Sequence, residues 1–483
     1  MMEKIVAKLR PYIVANKEES LVAKPTEYDQ NTYKLIFVDS QQVAGEVVLT
    51  EDGCLKMFSE FDFEEEDIPE ASMSKEEIRK LIERFSHDFF PESFSLLHLS
   101  SIFDLDIFYL FDYVRKDERF GLELPNSGIS FSVYKNGVIM DMVNEMDEFL
   151  IVYPDRVLSE EVARERFLTN IQPLLKIMRF DEKVYVDGDG EFKLVYDFLH
   201  TTGIDVKMDG NQTTLADFGD VCFPFQSLPQ MPPVQSSIYA MAGVETMDKI
   251  TESDTPEGKL EVWSDFPKEH FLREYEFDEL MDLDTVVEGA VKLITDSNGM
   301  LKQMITSDRE NGVRITEEEA FQSALKLLYS QYPDAQHMFK LRGEDHVLIE
   351  FDEEGEELPP HAYCFTFDRF EKDVQVEGEY LTIIVSAYSG KLCEWFATDY
   401  LHDRFTHLVE NIPDHFGKAL QRYQDSFVMK LNWTKEEVDE EGKPHYELVY
   451  MPEFKGTGGH VHCVEVAALK PWIVNVTGLE EFR

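Results

Sequence analysis

The chain contains several segments twice, and this internal repetition constrains its fold more than any other feature. The segments "EFKLVYDF" (191–198) and "HYELVYMP" (445–452) share the strand-like run Leu-Val-Tyr. Three further pairs occur in the same order along the chain. The matching segments are 43–53 with 287–299, 73–78 with 315–320, 129–142 with 382–395, and 191–198 with 445–452. Four collinear pairs predict that a whole structural unit has been duplicated.

Each copy of the repeat begins a helix in the same way. Ser74 with Glu77, and Thr316 with Glu319, have the Ser/Thr-x-x-Glu spacing of a capping box. Apolar residues at helical spacing follow in both copies, and after them come alternating strands rich in β-branched and aromatic residues. These strands turn at "KNG" and "YSG", where glycine suits a hairpin position with positive φ.

This order of elements predicts an α+β fold with small antiparallel sheets packed by helices, in two similar halves. We expect an N-terminal half at residues 1–222 and a C-terminal half at residues 258–483. Between them, residues 223–257 contain five of the 20 prolines of the chain, and regular periodicity fades. We therefore predict a Pro-rich linker at 223–257.

With these residues the chain resembles PepSY-like modules, and more closely the YcdB/YcdC repeat family of Firmicutes. "SAYSGKL" (386–392) is similar to the small-polar-Gly turn that ends such a module, and "SVYKNGV" (132–138) is less similar. The paired "KLVY" and "ELVY" strands also fit that family. The resemblance covers most of residues 20–222 and 258–483. It implies an α+β fold and a non-enzymatic binding, inhibitory or regulatory role, and it provides no catalytic residues to carry over.

The chain departs from that family pattern in two respects. The last module of each half lacks a clear Ser/Thr-Gly ending, since "VKMDGNQ" (206–212) is blurred and "CVEVAAL" (463–469) has no glycine. No signal or membrane segment is visible, because the N-terminus lacks an apolar core and no run of about 18 apolar residues occurs. We therefore expect a soluble cytoplasmic protein of bacterial type rather than an envelope protein.

The charge of the chain restricts its partners. It has 46 basic and 96 acidic residues, a formal net charge of −50. Such a surface repels nucleic acid and anionic membranes, so we expect neither as a partner. It attracts basic proteins and peptides. Active mimicry of nucleic acid is a weaker hypothesis that the same charge allows.

The cysteines indicate a reducing compartment. They are few and scattered, and none forms a CxxC pair, so a disulfide framework is not expected. Their positions are Cys54, Cys222, Cys364, Cys393 and Cys463.

"HVHC" (460–463) is the strongest chemical candidate in the sequence. In a regular strand, His460 and His462 would lie on one face and Cys463 on the other. Two such imidazoles can share a zinc ion, which makes a metal-dependent hydrolase the alternative function. No third ligand lies at a telling spacing and no HExxH is present, so an incidental histidine pair is the favoured interpretation, and we predict no metal site.

Other candidate segments have simpler explanations. "DGDGE" (187–191) resembles the start of a calcium loop, but Glu191 comes too early, and a hairpin turn is favoured. The acidic runs at 351–360 and 60–70 are typical of exposed turns. No nucleophile elbow, Walker A or dinucleotide motif is present. The tryptophans are expected mainly in the core, and they are Trp263, Trp395, Trp433 and Trp472.

From these observations we predict no catalytic, cofactor-binding or metal-binding residues and no cofactor. The favoured function is a non-catalytic, acidic interaction or regulatory protein, of inhibitory type in one version. It would present the open edges of its sheets to a basic protein or peptide partner.

Overall fold

The structure is a computed structural model of the 483-residue chain. It describes every residue except 1, 14–18, 27–29, 62–72, 106, 147, 155, 172, 199–205, 208–223, 233, 235, 270–281, 283–286, 288, 307–312, 344–345, 349, 352–356, 359, 402–403, 437–444, 455–460, 475–478 and 482–483.

The first part of the chain builds a large antiparallel sheet. Its strands are β1 (Leu21–Pro25), β2 (Thr32–Phe37), β3 (Val43–Leu49), β4 (Leu55–Glu60), β5 (His98–Asp104), β6 (Phe108–Lys116), β7 (Glu123–Tyr134) and β8 (Ile139–Asn144). They lie in the order β1-β2-β3-β4-β8-β7-β6-β5, and Leu479–Glu481 pairs with β5. Within the described residues this first sheet therefore has nine strands.

The remaining strands follow in chain order. They are β9 (Leu150–Val152), β10 (Leu174–Arg179), β11 (Phe192–Asp197), β12 (Val206–Lys207), β13 (Phe225–Ser227), β14 (Asp248–Thr255), β15 (Gly258–Ser264), β16 (Ala290–Thr295), β17 (Leu301–Thr306), β18 (Phe339–Arg342), β19 (Glu350–Phe351), β20 (Glu357–Leu358), β21 (Ala362–Glu371), β22 (Val374–Ser386), β23 (Leu392–Ala397), β24 (Phe427–Glu436), β25 (His445–Phe454), β26 (Val461–Glu465), β27 (Pro471–Ile473) and β28 (Leu479–Glu481).

These strands form a second large sheet and two small ones. The second sheet runs β14-β15-β16-β17-β23-β22-β10-β11-β26-β27, and β21, β18 and β13 branch in turn from β22. The third sheet has the order β12-β25-β24, with β9 also on β25, and β19 pairs with β20. Most pairs are antiparallel; the parallel ones in the described part of the chain are β10 with β22 and β9 with β25.

Helices pack against these sheets. Those in the described residues are α1 (Met2–Leu9), α2 (Lys75–Phe89), α3 (Glu160–Asn170), α4 (Ile238–Met241), α5 (Glu317–Gln331), α6 (Ala335–Met338), α7 (Thr406–Val409) and α8 (Phe416–Asp425). The predicted capping boxes are present, because the Ser74 and Thr316 side chains accept from the backbones of Glu77 and Glu319, which bond back to the caps. None of the described helices is long and apolar enough to cross a membrane.

The two large sheets arrange eight strands in the same order. The series β1 to β4 followed by β8, β7, β6 and β5 corresponds to β14 to β17 followed by β23, β22, β21 and β18. A fifteen-residue helix, α2 or α5, follows the fourth strand of each series. Bulges also coincide: β3–β4 corresponds to β16–β17, β7–β8 to β22–β23, and β6–β7 to β21–β22. The turn glycines Gly137 and Gly390 both have positive φ, as predicted.

Each sheet has its own core. The side chains of α2 pack on the first sheet, where Phe85 contacts the rings of Phe58 and Phe131. The side chains of α5 pack on the second sheet around buried Trp395, whose indole N–H donates to the carbonyl of Leu301 over 3.0 Å. A third core lies between α3, α8 and the β24–β25 hairpin.

The observed fold agrees with the predicted α+β class of mostly antiparallel sheets, but the sheets are not small. They are large because β4 pairs with β8 and β17 pairs with β23, so that each four-strand meander is joined to the four strands after the helix. The predicted linker 223–257 contains regular structure, since β13, α4 and β14 lie within it. Its prolines leave stretches between them that pair normally.

Strand pairing crosses the predicted division at residues 222 and 258. Strands β10 and β11 belong in sequence to the N-terminal half, but they pair with β22 and β26 of the C-terminal half. Strands β9 and β12 likewise pair with β25. The boundaries 1–222, 223–257 and 258–483 remain a prediction, and the two predicted halves share sheets rather than standing apart.

Candidate functional site

His462, the strongest candidate from the sequence, lies at a β-bulge in β26. Opposite β27, Val461 faces Ile473 and Cys463 faces Trp472, so His462 is the extra residue between two successive pairs. A bulge bends the strand and re-aims the side chain of its extra residue. The regular alternation expected for "HVHC" is therefore interrupted at this position.

The re-aimed imidazole joins a group of polar side chains that we call the His462 cluster: Lys176, Tyr185, Asp197, Glu377 and His462. The Tyr185 hydroxyl lies 2.5 Å from His462 Nδ1, and His462 Nε2 lies 3.4 Å from Asp197 Oδ1. Lys176 Nζ lies 2.8 Å from Asp197 Oδ2 and 2.8 Å from Glu377 Oε2. The side chain of Asp197 is only 3% exposed, whereas that of Glu377 is 42% exposed. The cluster therefore runs from the interior to the surface.

The cluster corrects the sequence prediction about faces. Asp197 is the residue directly opposite Cys463 in the β11–β26 pair. His462 was expected to point away from the face of Cys463, but its ring reaches the carboxylate that lies on that face. The bulge is the physical reason, since it adds one residue to the strand and breaks the period of two.

The electrostatics of the cluster hold each shifted group in one protonation state near neutral pH. Burial alone would raise the pKa of Asp197, but the hydrogen bond from His462 and the charge of Lys176 outweigh it and lower that pKa. Burial likewise opposes the charge of Lys176, and Asp197 and Glu377 outweigh it and raise the pKa of the lysine. Burial raises the pKa of Tyr185, which keeps the phenol neutral.

Cys463 beside this cluster is a buried thiol. Burial, and then the charge of Asp197, raise its pKa well above the ordinary value for cysteine. Because the thiolate is the nucleophilic form, this environment favours an inert cysteine.

Metal binding at His462 requires a free ring nitrogen. Both ring nitrogens of His462 have side-chain neighbours, Tyr185 at Nδ1 and Asp197 at Nε2. Among the described residues, no group of three or more His, Cys, Asp and Glu side chains could hold a metal ion. His460, the other residue of the predicted pair, lies outside the described residues.

A second polar cluster lies on the first sheet around Asp112 in β6. Burial, together with the charges of Glu123 and Glu145, raises the pKa of Asp112 to about 6. Glu123 in turn contacts His98 Nε2 and accepts from the Ser100 hydroxyl, each over 2.8 Å. Sequence reasoning did not identify this group, because its members come from β5, β6, β7 and the segment after β8.

The remaining sequence candidates have structural roles where they are described. "DGDGE" lies in the connection between β10 and β11, where Asp187 and Gly190 have positive φ. Asp189 accepts from the Glu191 amide and pairs with Lys193 over 2.7 Å, as in a tight turn. A turn, rather than a calcium loop, was the favoured prediction.

Two acidic runs and four tryptophans were also sequence candidates. Most of residues 62–70 and 352–359 lie outside the described residues. Trp395, Trp433 and Trp472 are buried, as predicted for core residues, and half-buried Trp263 packs against Tyr239.

A different kind of candidate site is the edge strand β14. In the described part of the chain it pairs with β15 on one side only. Thr255 lies opposite Gly258 across a two-residue turn, so these two residues bond to each other. Alternation along an antiparallel ladder then directs the backbone N–H and C=O groups of Glu252 and Asp254 away from β15.

The side chains of β14 make this edge acidic. Asp248, Glu252 and Asp254 are exposed. Glu252 is held by Lys249 and Lys259, each 2.9 Å away, and these contacts lower the pKa of Glu252 to about 2.

The edge of the first sheet carries a proline that β14 lacks, whereas both edge strands carry a lysine, Lys24 and Lys249. The outer strand β1 is five residues long and carries Lys24 and Pro25. Lysine and proline are common means of blocking edge pairing. Strand β14 is eight residues long and contains no proline.

Comparison with known proteins finds relatives but no described function. The uncharacterized protein YcdC of Bacillus subtilis (strain 168) is 25% identical over 429 residues, covering 84% of this chain and 85% of that protein. The uncharacterized protein YcdB of the same organism is 24% identical over 357 residues, covering 71% of this chain and 72% of that protein. No model of a protein family matches the chain.

Among solved structures, the C-terminal domain of YpeB from Bacillus megaterium is similar to part of the chain. The match has a TM-score of 0.27 and 17% identity, and it covers 41% of this chain and 87% of that one. The chain is thus similar to YcdB and YcdC, the two proteins after which the family in the sequence resemblance is named. The PepSY-like character of its modules remains a prediction.

Proposed function

We propose that this protein is a non-catalytic, acidic interaction protein, regulatory or inhibitory in effect, that binds an extended basic segment of a partner protein along the β14 edge. The observation that carries the proposal is the open edge itself. Strand β14 pairs on one side only among the described strands, and its outward backbone groups belong to acidic residues. An added strand would gain main-chain hydrogen bonds, and basic side chains would give it selectivity.

The overall charge supports the same partner. With a net charge of −50, the protein attracts a basic segment over long range and speeds its encounter. It repels acidic competitors in the same way. Affinity for the partner should therefore fall as ionic strength rises.

The His462 cluster supports the non-catalytic part of the proposal. A general acid or base works best with a pKa near the operating pH. The pKa values of Asp197, Lys176 and Tyr185 are all moved away from neutrality by their surroundings. Cys463 is buried, and its pKa is also raised away from neutrality.

The same proposal includes duplication of PepSY-like modules. The shared strand order, the equal helices α2 and α5, and the coincident bulges of the two large sheets all support it. In this view β1 and β14 are equivalent edges. One copy has closed its edge with Pro25, and the other has kept its edge open for a partner.

The test measures binding of an extended peptide of alternating Lys and Val to the full chain, by fluorescence anisotropy. We expect affinity to fall strongly between about 50 and 500 mM NaCl. Asp254→Pro removes an outward N–H that β15 does not use, so the strand should still form. It should weaken binding at least about tenfold, since a proline edge cannot pair.

Asp254→Asn is the matched control. It removes the same charge but keeps the N–H group, and we expect it to weaken binding by less than about threefold. Equal affinities for Asp254→Pro and Asp254→Asn would show attraction by charge alone and would reject the edge site. A rate of substrate conversion that depends on His462 would reject the non-catalytic assignment.

A further inference from the structure

Each of the two Leu-Val-Tyr strands pairs with a short strand that lies far from it in sequence. The register of the pairing is the same in both cases. Strand β11 pairs with β26, and Tyr196 lies opposite Val464. Strand β25 pairs with β12, and Tyr450 lies opposite Val206.

The next pair along each seam agrees as well. Val195 lies opposite Glu465 in the first seam, and Val449 lies opposite Lys207 in the second. In both seams the tyrosine lies opposite a valine of the third strand. The valine before the tyrosine lies opposite the next residue of that third strand, which is charged in both cases. The two seams are equivalent at the two residue pairs that the described part of β12 forms.

We propose that the two copies of the repeat have exchanged their third strands reciprocally. In chain order each copy has a helix, a strand, the Leu-Val-Tyr strand and a third strand. These are α3, β10, β11 and β12 in the first copy, and α8, β24, β25 and β26 in the second. Among the described residues, neither third strand pairs with the strand that precedes it, and each pairs with the other copy instead.

This arrangement is not the default for strands so close in sequence. Residues 198–205 separate β11 from β12, and residues 455–460 separate β25 from β26. Strands that follow one another after such short connections usually pair with each other. A feature of the residues must therefore favour the exchanged partner.

The His462 cluster is that feature. His462 comes from β26 of the second copy, whereas Asp197, Tyr185 and Lys176 come from the first, so the cluster spans the exchange seam. The residue after Leu-Val-Tyr is Asp197 in β11 but Met451 in β25.

Pairing β26 with its own copy would therefore break the cluster. In the same register, Met451 would replace Asp197 opposite Cys463, and His462 would lose both its carboxylate and its phenol. An unpaired buried polar group is costly, so this alternative is disfavoured. The residue that matches His462 in the first copy is Ile204, which has no imidazole to offer Asp197. Buried polar groups select partners in this way in other systems.

The inference concerns the repeat and not the β14 edge, so failure of the peptide-binding test leaves it intact. It is tested on the full-length chain with engineered cysteine pairs, mild oxidation and mass spectrometry of linked peptides. Val195→Cys with Glu465→Cys, and Val449→Cys with Lys207→Cys, report exchanged seams. Val195→Cys with Lys207→Cys, and Val449→Cys with Glu465→Cys, report unexchanged ones. We expect links in the first two proteins, and dominant links in the last two would overturn the exchange.

The role of the cluster is tested after unfolding and refolding. Asp197→Met with His462→Ile gives the first seam the residues of the second. We expect it to increase the Val449–Glu465 link several-fold. Because this variant removes buried partners, Met451→Asp serves as a second variant that leaves the native cluster intact and gives β25 a carboxylate. Met451→Ala is its control, without the carboxylate.

An increased Val449–Glu465 link in Met451→Asp relative to Met451→Ala supports selection by the cluster. An unchanged link in both Met451→Asp and the double variant would overturn it.

Discussion

Among the residues of the His462 cluster, we expect Asp197 to contribute most to stability, because it is a buried carboxylate shared by Lys176 and His462. Asp197→Asn keeps the shape and removes the charge, leaving Lys176 with half-exposed Glu377. Removing one partner of a buried ion pair typically costs about 3–5 kcal/mol of unfolding free energy. Because Glu377 remains, we expect a loss of about 2–4 kcal/mol, measured by urea unfolding at pH 7.

The control and the pH dependence of this prediction follow from the same pair. Asp189→Asn breaks an exposed pair with Lys193 and should cost less than about 1 kcal/mol. The pKa of Asp197 is lowered on folding, so its stabilisation is present above the unfolded value of about 4 and is lost as the pH falls toward the folded value. The gap between wild type and Asp197→Asn should shrink below about pH 4. A gap that does not change from pH 7 to pH 3 would contradict the ionised pair.

Asp112 is expected to behave in the opposite sense. Its pKa is raised to about 6 in the folded protein, so folding favours the protonated carboxyl. No cost arises below about pH 4, and the cost develops as the pH rises through 6. Asp112→Asn should therefore stabilise the protein at pH 7.5 by about 1–3 kcal/mol and leave it nearly unchanged at pH 4. Exposed Asp39→Asn is the control and should change little at either pH.

The sequence predicts one member of the His462 cluster but not its partners. The motif "HVHC" identified His462, but its partners Lys176, Tyr185 and Asp197 lie far away in sequence and belong to ordinary strand-like or turn-like runs. The pairing of β11 with β26 and the bridge from Tyr185 to Val474 bring them together. The bulge that re-aims His462 depends on β27 and has no local sequence signal.

At the scale of elements, local chemistry was a good guide where it was self-contained. The two capping boxes predict the first turns of α2 and α5, and both are present. The hairpin turn predicted at 187–191 lies in a longer connection, because the partner of β11 is β10 at 174–179. Residues 182–187 alternate like a strand, but they form turns, and only Tyr185 makes a single bridge, to Val474.

The two capping boxes are expected to stabilise the helices that they begin. Ser74→Ala and Thr316→Ala should each lower the unfolding free energy by about 1 kcal/mol, because each leaves a helix N–H group without its acceptor. The matched control is Ser93→Ala, since Ser93 begins a short 3₁₀ turn and makes no side-chain capping bond. Urea unfolding measures all three. A cost for Ser93→Ala as large as that for the other two would show that loss of the hydroxyl, rather than loss of the cap, is responsible.

At the scale of the whole molecule, the collinear repeats predicted two similar sets of elements, and the two large sheets do share one strand order. The repeats did not predict how the copies connect. Leu-Val-Tyr occurs in both β11 and β25, and local sequence cannot tell which third strand each accepts. That choice depends on buried groups which meet only in the folded chain. Division of the chain at residues 222 and 258 stays a prediction, and strands from the two sides of it pair with each other.

The net charge of the protein determines how its stability depends on salt. The chain has 96 acidic and 46 basic side chains, a net charge of −50. Folding brings the excess negative charges closer together, and their mutual repulsion destabilises the folded state. Added salt screens this repulsion over distances beyond about 10 Å, while close and buried pairs such as Lys176–Asp197 are screened much less. We expect the unfolding free energy to rise by at least about 1 kcal/mol between about 10 and 300 mM NaCl. Asp197→Asn should show the same rise from a lower starting value, since the pair that it lacks is buried. Stability that falls with salt would mean that exposed ion pairs such as Lys249–Glu252 outweigh the repulsion.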